Sequence, residues 1–292
     1  MLLTIAAVRG VLELQRSTNL LNVYDALDND GKSRMTTPQI VSAKEWTAAH
    51  QRMLVQEKEF TRARDALAAK RRRMPWTEVD AAYDFDGPDG RVSLVDLFQG
   101  RRQLIVYRAF VDPGVHGWPE HGCVGCSLMA DHVGNLAHLN ARDTTLVYAS
   151  RGSQVDLARI KGRMSWDVPW YTILPGAGRA FDVDFGVDEW HGTNAFIRDA
   201  DRVFRTYFFD NRGDEAFVNT WAFLDMTALG RQETWEDSPD GYPQSPPYEW
   251  WSWHDAYAEH EPSRWFGDPD PDDPRDPRPP RPTEGCDSCG GR

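Results

Sequence analysis

The sequence predicts an α/β protein: a mixed central sheet flanked by helices, led by a long N-terminal helix and closed by a Trp- and Pro-rich C-terminal wrap. Three observations predict it. Between residues 76 and 225, apolar runs of strand length alternate with helical patterns in the order β-α-β-α-β-β-α, which gives a mixed sheet with helices on both faces. A long amphipathic pattern precedes them. A C-x-x-C sequence, Cys123-Val-Gly-Cys126, follows a buried strand and a loop rich in Gly and Pro, at the point where a helix opens.

Residues 1–34 read as an N-terminal extension ending in the polar stretch Asp28–Arg34. Met35-Thr-Thr-Pro38 then begins a new segment and is a candidate start, the other reading being a docking helix over Val11–Leu27. Residues 35–75 carry an amphipathic helix from Ser42 to about Arg73. Ser42 and Glu45 form a capping box, and Trp46, Met53, Phe60 and Leu67 recur every seven residues with Ala49, Ala63 and Ala66 beside them. Pro75 sets its end. The basic run Lys70–Arg73 fits a solvated last turn favoured by the helix dipole.

Residues 76–230 hold the α/β domain. Phe85–Val92 reads as a turn between two short strands, and Ser93 caps a short helix through Phe98. Leu104–Phe110 is the first central strand, Cys126–Leu139 a helix, Thr144–Ala149 the second strand and Val155–Met164 a helix. Ala195–Arg198 and Val203–Phe209 form a hairpin about Asp199–Asp201, and Glu215–Leu224 is the last helix. Residues 231–266 form an aromatic, irregular wrap around the cluster Trp250-Trp-Ser-Trp253. Residues 267–292 are Asp, Pro and Arg with a second C-x-x-C, Cys286 and Cys289, a composition that cannot bury a core.

A formal net charge of −12 over 292 residues and a pI near 5.1 argue against nucleic-acid partners and against a basic membrane-facing patch. No apolar run approaches a membrane span. The apolar start Met1–Val8 lacks a basic region before it and is cut short by Arg9, so the expected location is cytoplasmic. Four cysteines are too few for a disulfide scaffold in a chain this long, so paired cysteines point to catalysis or metal binding.

A thiolate attacks disulfides, and the amides and dipole at a helix N-terminus favour the anion. Cys123 is therefore the expected nucleophile and Cys126 the resolving thiol, with no cofactor beyond their own redox-active disulfide. His121 is a candidate to stabilise the Cys123 thiolate, against the reading of an ordinary loop histidine.

At this point the blocks Glu57–Leu67, Gly122-Cys-Val-Gly-Cys-Ser127, Leu224–Arg231 and Trp253-His-Asp-Ala-Tyr257 resemble the bacterial thioredoxin-like family of predicted dithiol–disulfide oxidoreductases, a domain-of-unknown-function family. The resemblance runs over roughly residues 35–257. It implies a thioredoxin-like fold with its redox pair at Cys123 and Cys126, acting on a disulfide-containing protein or a small-molecule thiol, with an electron donor it does not identify. In that fold the loop before the third central strand faces the pair. Here the loop is His191-Gly-Thr-Asn194, which makes Thr193 and Asn194 neighbouring-site candidates. Thioredoxins carry a cis-proline there; this chain has none, and Pro169 lies too early to replace it.

Three other readings stay open. Pro119, Cys123 and Cys126 approximate the P-x-x-x-T-x-x-C spacing of peroxiredoxins, with Cys123 in the threonine position but no arginine before the third strand. The two C-x-x-C pairs together offer four thiolates to a structural zinc, with His121 or His132 as helpers. A redox-inactive binding module would use the Trp-rich face. Cys286 and Cys289, on a Pro-stiffened tether of about twenty residues, are a possible second redox pair serving the first. The acidic pairs Asp182/Asp184 and Asp188/Glu189 read as solvated loop residues, and Trp253-His-Asp255 as a packed tryptophan beside a His–Asp hydrogen bond.

Overall fold

The structure, a computed structural model, describes residues 36–257 apart from 81, 116, 176–179, 188–190, 248 and 249. The extension 1–34, Asp188, Glu189 and the tail pair Cys286 and Cys289 lie outside the described residues. The chain divides into two compact units: residues up to Arg62 with Phe223–Pro247, and Ala63–Ala222 with the residues from Tyr248 on.

Helix α1, Ala43–Arg71, begins at the expected capping box: the Glu45 carboxylate accepts the Ser42 N–H at 3.0 Å and its hydroxyl at 2.6 Å. None of its described residues is buried, and Phe60 of the heptad stripe is 70 % exposed. Arg71 departs from the solvated-turn reading, since its guanidinium stacks on Tyr207 and Phe209 at 4.9 and 4.7 Å. In the first unit, Arg231 holds Asp225 at 2.7 Å, and the Glu236 carboxylate accepts the N–H groups of Arg231 and Glu233.

The second unit contains the sheet. Its strands are β1 (Thr77–Val79), β2 (Asp84–Gly87), β3 (Gly90–Ser93), β4 (Gln103–Arg108), β5 (Thr144–Ser150), β6 (Trp170–Ile173), β7 (Gly192–Asp199) and β8 (Arg202–Phe209). Helix α2 spans Val124–Asp131, α3 Ala137–Asn140, α4 Gln154–Met164, α5 Phe181–Asp184 and α6 Asn219–Leu224, with 3-10 turns at Asp96–Phe98 and Asn211–Phe217. The spatial order is β1-β8-β7-β4-β5-β6-β2-β3. β4, β5 and β6 run parallel, while β7 is antiparallel to both β4 and β8. The core β8-β7-β4-β5, with helix α2 crossing from β4 to β5, is the thioredoxin-like arrangement.

Side-chain alternation along the strands builds two cores. Tyr107 and Tyr148 face α2 and α4, packing with Leu157, Ile160, Trp166 and Trp170. Val106 and Val147 face the other way, against Phe85, Leu97, Phe181 and Phe196.

Several elements correct the sequence reading. The helix expected over Cys126–Leu139 is two helices. His132 takes the Leu128 carbonyl with its own ring at 2.7 Å, displacing the next backbone bond, and after Gly134 the Asn135 side chain accepts the Ala137 N–H to start α3. The last expected helix, Glu215–Leu224, splits at Val218, whose backbone is extended. The sequence reading assigns no strand at β6, and it takes Asp182 and Asp184 of α5 as loop residues; each element is only four residues long. The strand β7 starts at Gly192, so Thr193 and Asn194 lie within it rather than in a loop. Asp182 is not solvated: it is fully buried, paired to Arg108 at 3.1 Å and Arg151 at 2.8 Å. His254 bonds Asp131 at 2.7 Å, not Asp255, which pairs with Arg163 at 3.2 Å.

Candidate functional site

Two short connections set the cysteines. After β4 the chain loops out and returns so closely that Gly122 leaves no room for a side chain: a Cβ there would sit 2.9 Å from the Phe110 carbonyl oxygen. Cys123 N–H then donates to Phe110 O at 2.9 Å, and Phe110 N–H donates to Cys126 Sγ at 3.3 Å. This reciprocal clasp fixes the start of α2 against the end of β4. Cys123 is the N-cap, its sulfur accepting the Cys126 N–H at 3.3 Å, the place where a helix offers unpaired amides.

The end of β4 is itself pinned. Buried Arg108 joins Asp112 at 2.7 Å and Asp182, and also donates to the Ala109 carbonyl. Arginines of α4 hold the outgoing loop, Arg159 through Pro119 O at 2.8 Å and Arg163 through Glu120 O at 2.7 Å. The Trp118–Pro119 peptide in this loop is cis.

Both thiols are free and nearly covered, Cys123 being 5 % and Cys126 1 % exposed. The cover is aromatic. Trp253 donates to Gly122 O at 3.3 Å, and Trp251 lies over Gly125, where a Cβ would meet its ring at 2.9 Å and Cys123 Sγ at 3.8 Å.

The expected site residues separate by position. His121 stands edge-on to Trp253 at 5.3 Å. Thr193 pairs in register with Tyr107 and shares its face, and its hydroxyl donates to Asp214 Oδ1 at 2.7 Å. Asn194 pairs with Val106 and is therefore on the opposite face of the sheet from the cysteines, so it is not a neighbour of the pair. His132 lies at the far end of α2, its second nitrogen 2.7 Å from the Thr220 hydroxyl. Among the described residues no group of three or more His, Cys, Asp or Glu is placed to hold a metal.

Sequence reasoning named His191 only as the start of the loop expected to face the pair, and it missed Tyr107 and Asp214. The Tyr107 hydroxyl donates to Cys126 Sγ at 3.4 Å, and burial pushes its own pKa well up, which keeps the proton in place. His191 Nδ1–H donates to Asp214 Oδ2 at 3.1 Å. Their signal was weak: a histidine opening a strand, and an aspartate in an irregular turn after β8.

These groups decide where the negative charge sits. Burial opposes ionisation at Cys126, but the Cys123 thiol, the His191 charge, Tyr107 and the Phe110 amide outweigh it and lower the pKa to about 7. Cys123 shifts up, through burial and then the neighbouring Cys126 thiolate. The sequence placed the anion on Cys123; the donor set favours Cys126, because a single helix terminus competes with four inward-facing partners. His191 shifts up despite burial, held by Asp214 and the Cys126 charge.

A cleft of about 1060 Å³ opens at the C-terminal end of α2, lined by Asp131, His132, Trp166, Trp250, His254 and Tyr257 among others. Neither sulfur lines it. No described helix is long and apolar enough to cross a membrane.

The chain is similar in structure to peroxidoxin BcpB from Mycobacterium tuberculosis, with 16% identity, TM-score 0.34 and coverage of 50% of this chain and 94% of that one. It is also similar to a secreted M. tuberculosis disulfide oxidoreductase homologous to E. coli DsbE, at 12% identity and TM-score 0.31, covering 49% and 96%. Apo Sco1 from Thermus thermophilus matches at 14% identity and TM-score 0.32, covering 51% and 93%. These likenesses are too distant to bear on activity. No curated protein matches the chain. The family model of a bacterial protein of unknown function, DUF899, matches residues 35–257, across the capped helix, the cysteine turn and the tryptophan cover, and the chain therefore belongs to the DUF899 family.

Proposed function

We propose that the protein is a dithiol–disulfide oxidoreductase working through Cys123 and Cys126. The observation that carries this reading is the pair's placement: one sulfur caps a helix, the other lies one turn in, and backbone and side-chain donors converge on them. In the reducing direction Cys123 passes its proton to the Cys126 sulfur and attacks a substrate disulfide. A Cys123–substrate S–S bond forms, the substrate's own S–S bond breaks, and the departing thiolate takes the proton from Cys126. Deprotonated Cys126 then attacks Cys123 Sγ, closing the internal disulfide and releasing the second substrate thiolate. The substrate gains two electrons and the pair loses two. The partners are a disulfide-bearing protein or a small thiol compound, and a separate dithiol donor that restores the pair.

The test is exchange activity with glutathione mixed disulfides and with insulin. Cys123→Ser and Cys126→Ser are each expected to reduce it to the uncatalysed rate. Full activity in either variant would refute the reading and favour a redox-inactive binding role.

One observation favours a second reading, reduction of hydroperoxides. The sulfur with the lowered pKa, Cys126, is also the more covered of the two, which favours a small oxidant over a protein disulfide as its direct partner. The Cys126 thiolate would take the distal oxygen to give a sulfenic acid and an alcohol or water, and Cys123 would condense with it to the disulfide and water. Rapid mixing of reduced protein with hydrogen peroxide distinguishes the two: trapping a Cys126 sulfenic acid in Cys123→Ser supports it, and no reaction removes it.

A further inference from the structure

Of the groups around Cys126, His191 takes no part in the exchange steps, yet the fold assembles it with care. It stands immediately before β7, and its partner Asp214 lies in the 3-10 turn after β8, so two connections converge beside β4. Asp214 is buried, and both its oxygens are engaged: Oδ2 accepts His191 Nδ1–H at 3.1 Å and Oδ1 accepts the Thr193 hydroxyl at 2.7 Å. The His191 ring packs beside Tyr107 at 6.2 Å between centroids, and the Tyr107 hydroxyl is 3.4 Å from Cys126 Sγ. A buried carboxylate holding a histidine favours its cation, and that cation acts on the sulfur across a water-poor interior where charges are weakly screened. We propose that His191, anchored by Asp214, is a positioning residue that holds positive charge opposite Cys126 and makes Cys126 the leaving sulfur whenever the disulfide is opened. Resting on the exchange reading, this biases the protein toward giving its disulfide to thiols.

The step balances without another oxidant. A substrate thiolate attacks Cys123 Sγ, the more exposed of the two sulfurs. A mixed disulfide forms, the Cys123–Cys126 bond breaks, and the electron pair stays on Cys126. A second thiolate of the substrate then attacks the substrate sulfur of the mixed disulfide and expels Cys123, which takes a proton. The substrate dithiol ends as a disulfide, two electrons poorer, and the pair two electrons richer. A stabler leaving thiolate makes the opening faster and the disulfide more oxidising. The titratable groups facing the site are Cys123, Tyr107 and His191 around Cys126, Asp214 and Asp210 around His191, and Tyr148 beside Tyr107.

The experiment equilibrates the full chain with glutathione buffers and reads the oxidised fraction by alkylation and mass. His191→Gln and Asp214→Asn are each expected to lower the equilibrium constant for oxidising glutathione about tenfold, which corresponds to about 30 mV. His191→Lys, which restores a positive charge, recovers most of the loss, and the exposed His138→Gln changes nothing. A second measurement needs no variant: by reciprocity, the His191 titration followed by NMR in wild type shifts down when the pair is oxidised and the thiolate disappears. An unchanged His191 titration between the two forms, or constants within about twofold of wild type in both variants, overturns the proposal. Wild type that fails to exchange with glutathione at all overturns the exchange reading and this proposal together; wild type that exchanges while the variants match it overturns only the proposal.

Discussion

A single hydrogen bond is enough to test how Cys126 holds its charge. Tyr107→Phe removes the hydroxyl 3.4 Å from that sulfur. Losing one donor to an ionised group is expected to raise the Cys126 pKa by about one unit, or about 1.4 kcal/mol, read by thiolate absorbance in a Cys123→Ser background. The same charge sets a pH dependence. A thiol made more acidic by folding stabilises the reduced protein above the unfolded thiol value, about 8.5, and that contribution is lost as pH falls through about 7. His191, shifted up, contributes fully below the ordinary imidazole value of about 6.5 and loses its contribution as pH rises through its own raised value. The gap in melting temperature between reduced wild type and reduced Cys126→Ser is therefore expected to be widest near pH 9 and to shrink toward pH 6. A gap that does not move with pH would contradict this assignment of charge. The cysteine pair itself was legible because its spacing is local. The loop that opens at His191 was expected to face the pair, but Asp214 was not, because only the turn after β8 brings it to that histidine. Thr193 and Asn194 show how fine the limit is: one residue of register puts them on opposite faces.

At the scale of elements, the ends of β4 and β5 are tied by the buried Arg108, Asp112 and Asp182, with the exposed Arg151 pairing to Asp182 from the surface. Asp182→Ala would take one of two carboxylates from the fully buried Arg108 guanidinium and leave Asp112 at 2.7 Å, with an expected cost of about 1.5–3 kcal/mol in chemical denaturation. It would also loosen the strand end from which the cysteine loop departs. The turn at the cysteines offers a second test. Gly125→Ala gains about 1 kcal/mol of helix propensity and loses about 1–3 kcal/mol in displacing Trp251, so stability should fall by about 0–2 kcal/mol while the indole is pushed aside. Iodoacetamide is then expected to alkylate Cys123 faster than in wild type; an unchanged rate would mean that Trp251 does not limit access. Capped helix starts were the most legible elements, since Ser42 with Glu45 and Ser93 with Asp96 carry their caps in four residues, and the Ser153–Asp156 cap that starts α4 has the same form. Helix ends were less so: the break at His132 depends on a side chain competing for a carbonyl, and the four-residue β6 gains its identity from β5 and β2 on either side.

For the whole molecule, the order of strands and helices carried the architecture, and the extra strands β1, β2, β3 and β6 extend a β8-β7-β4-β5 core at its edges without altering it. What composition did not disclose is how the tryptophans are spent. Trp253 and Trp166 are buried against the α2–α4 core and Trp251 covers the cysteine turn, so the C-terminal segment is part of the site's wall. The tail beyond it carries Cys286 and Cys289. If it shuttles electrons, truncation after Trp265 is expected to slow turnover with the physiological donor while leaving single-turnover exchange at Cys123 and Cys126 intact; undiminished turnover would retire the relay. The closeness of Trp251 to Cys123, across a residue with no side chain, has an optical consequence as well. Thiolates and disulfides quench indole emission to different degrees, so Trp251 should brighten or dim as the neighbouring sulfurs change oxidation state, and subtracting the spectrum of Trp251→Phe would turn the protein into its own dye-free gauge of turnover.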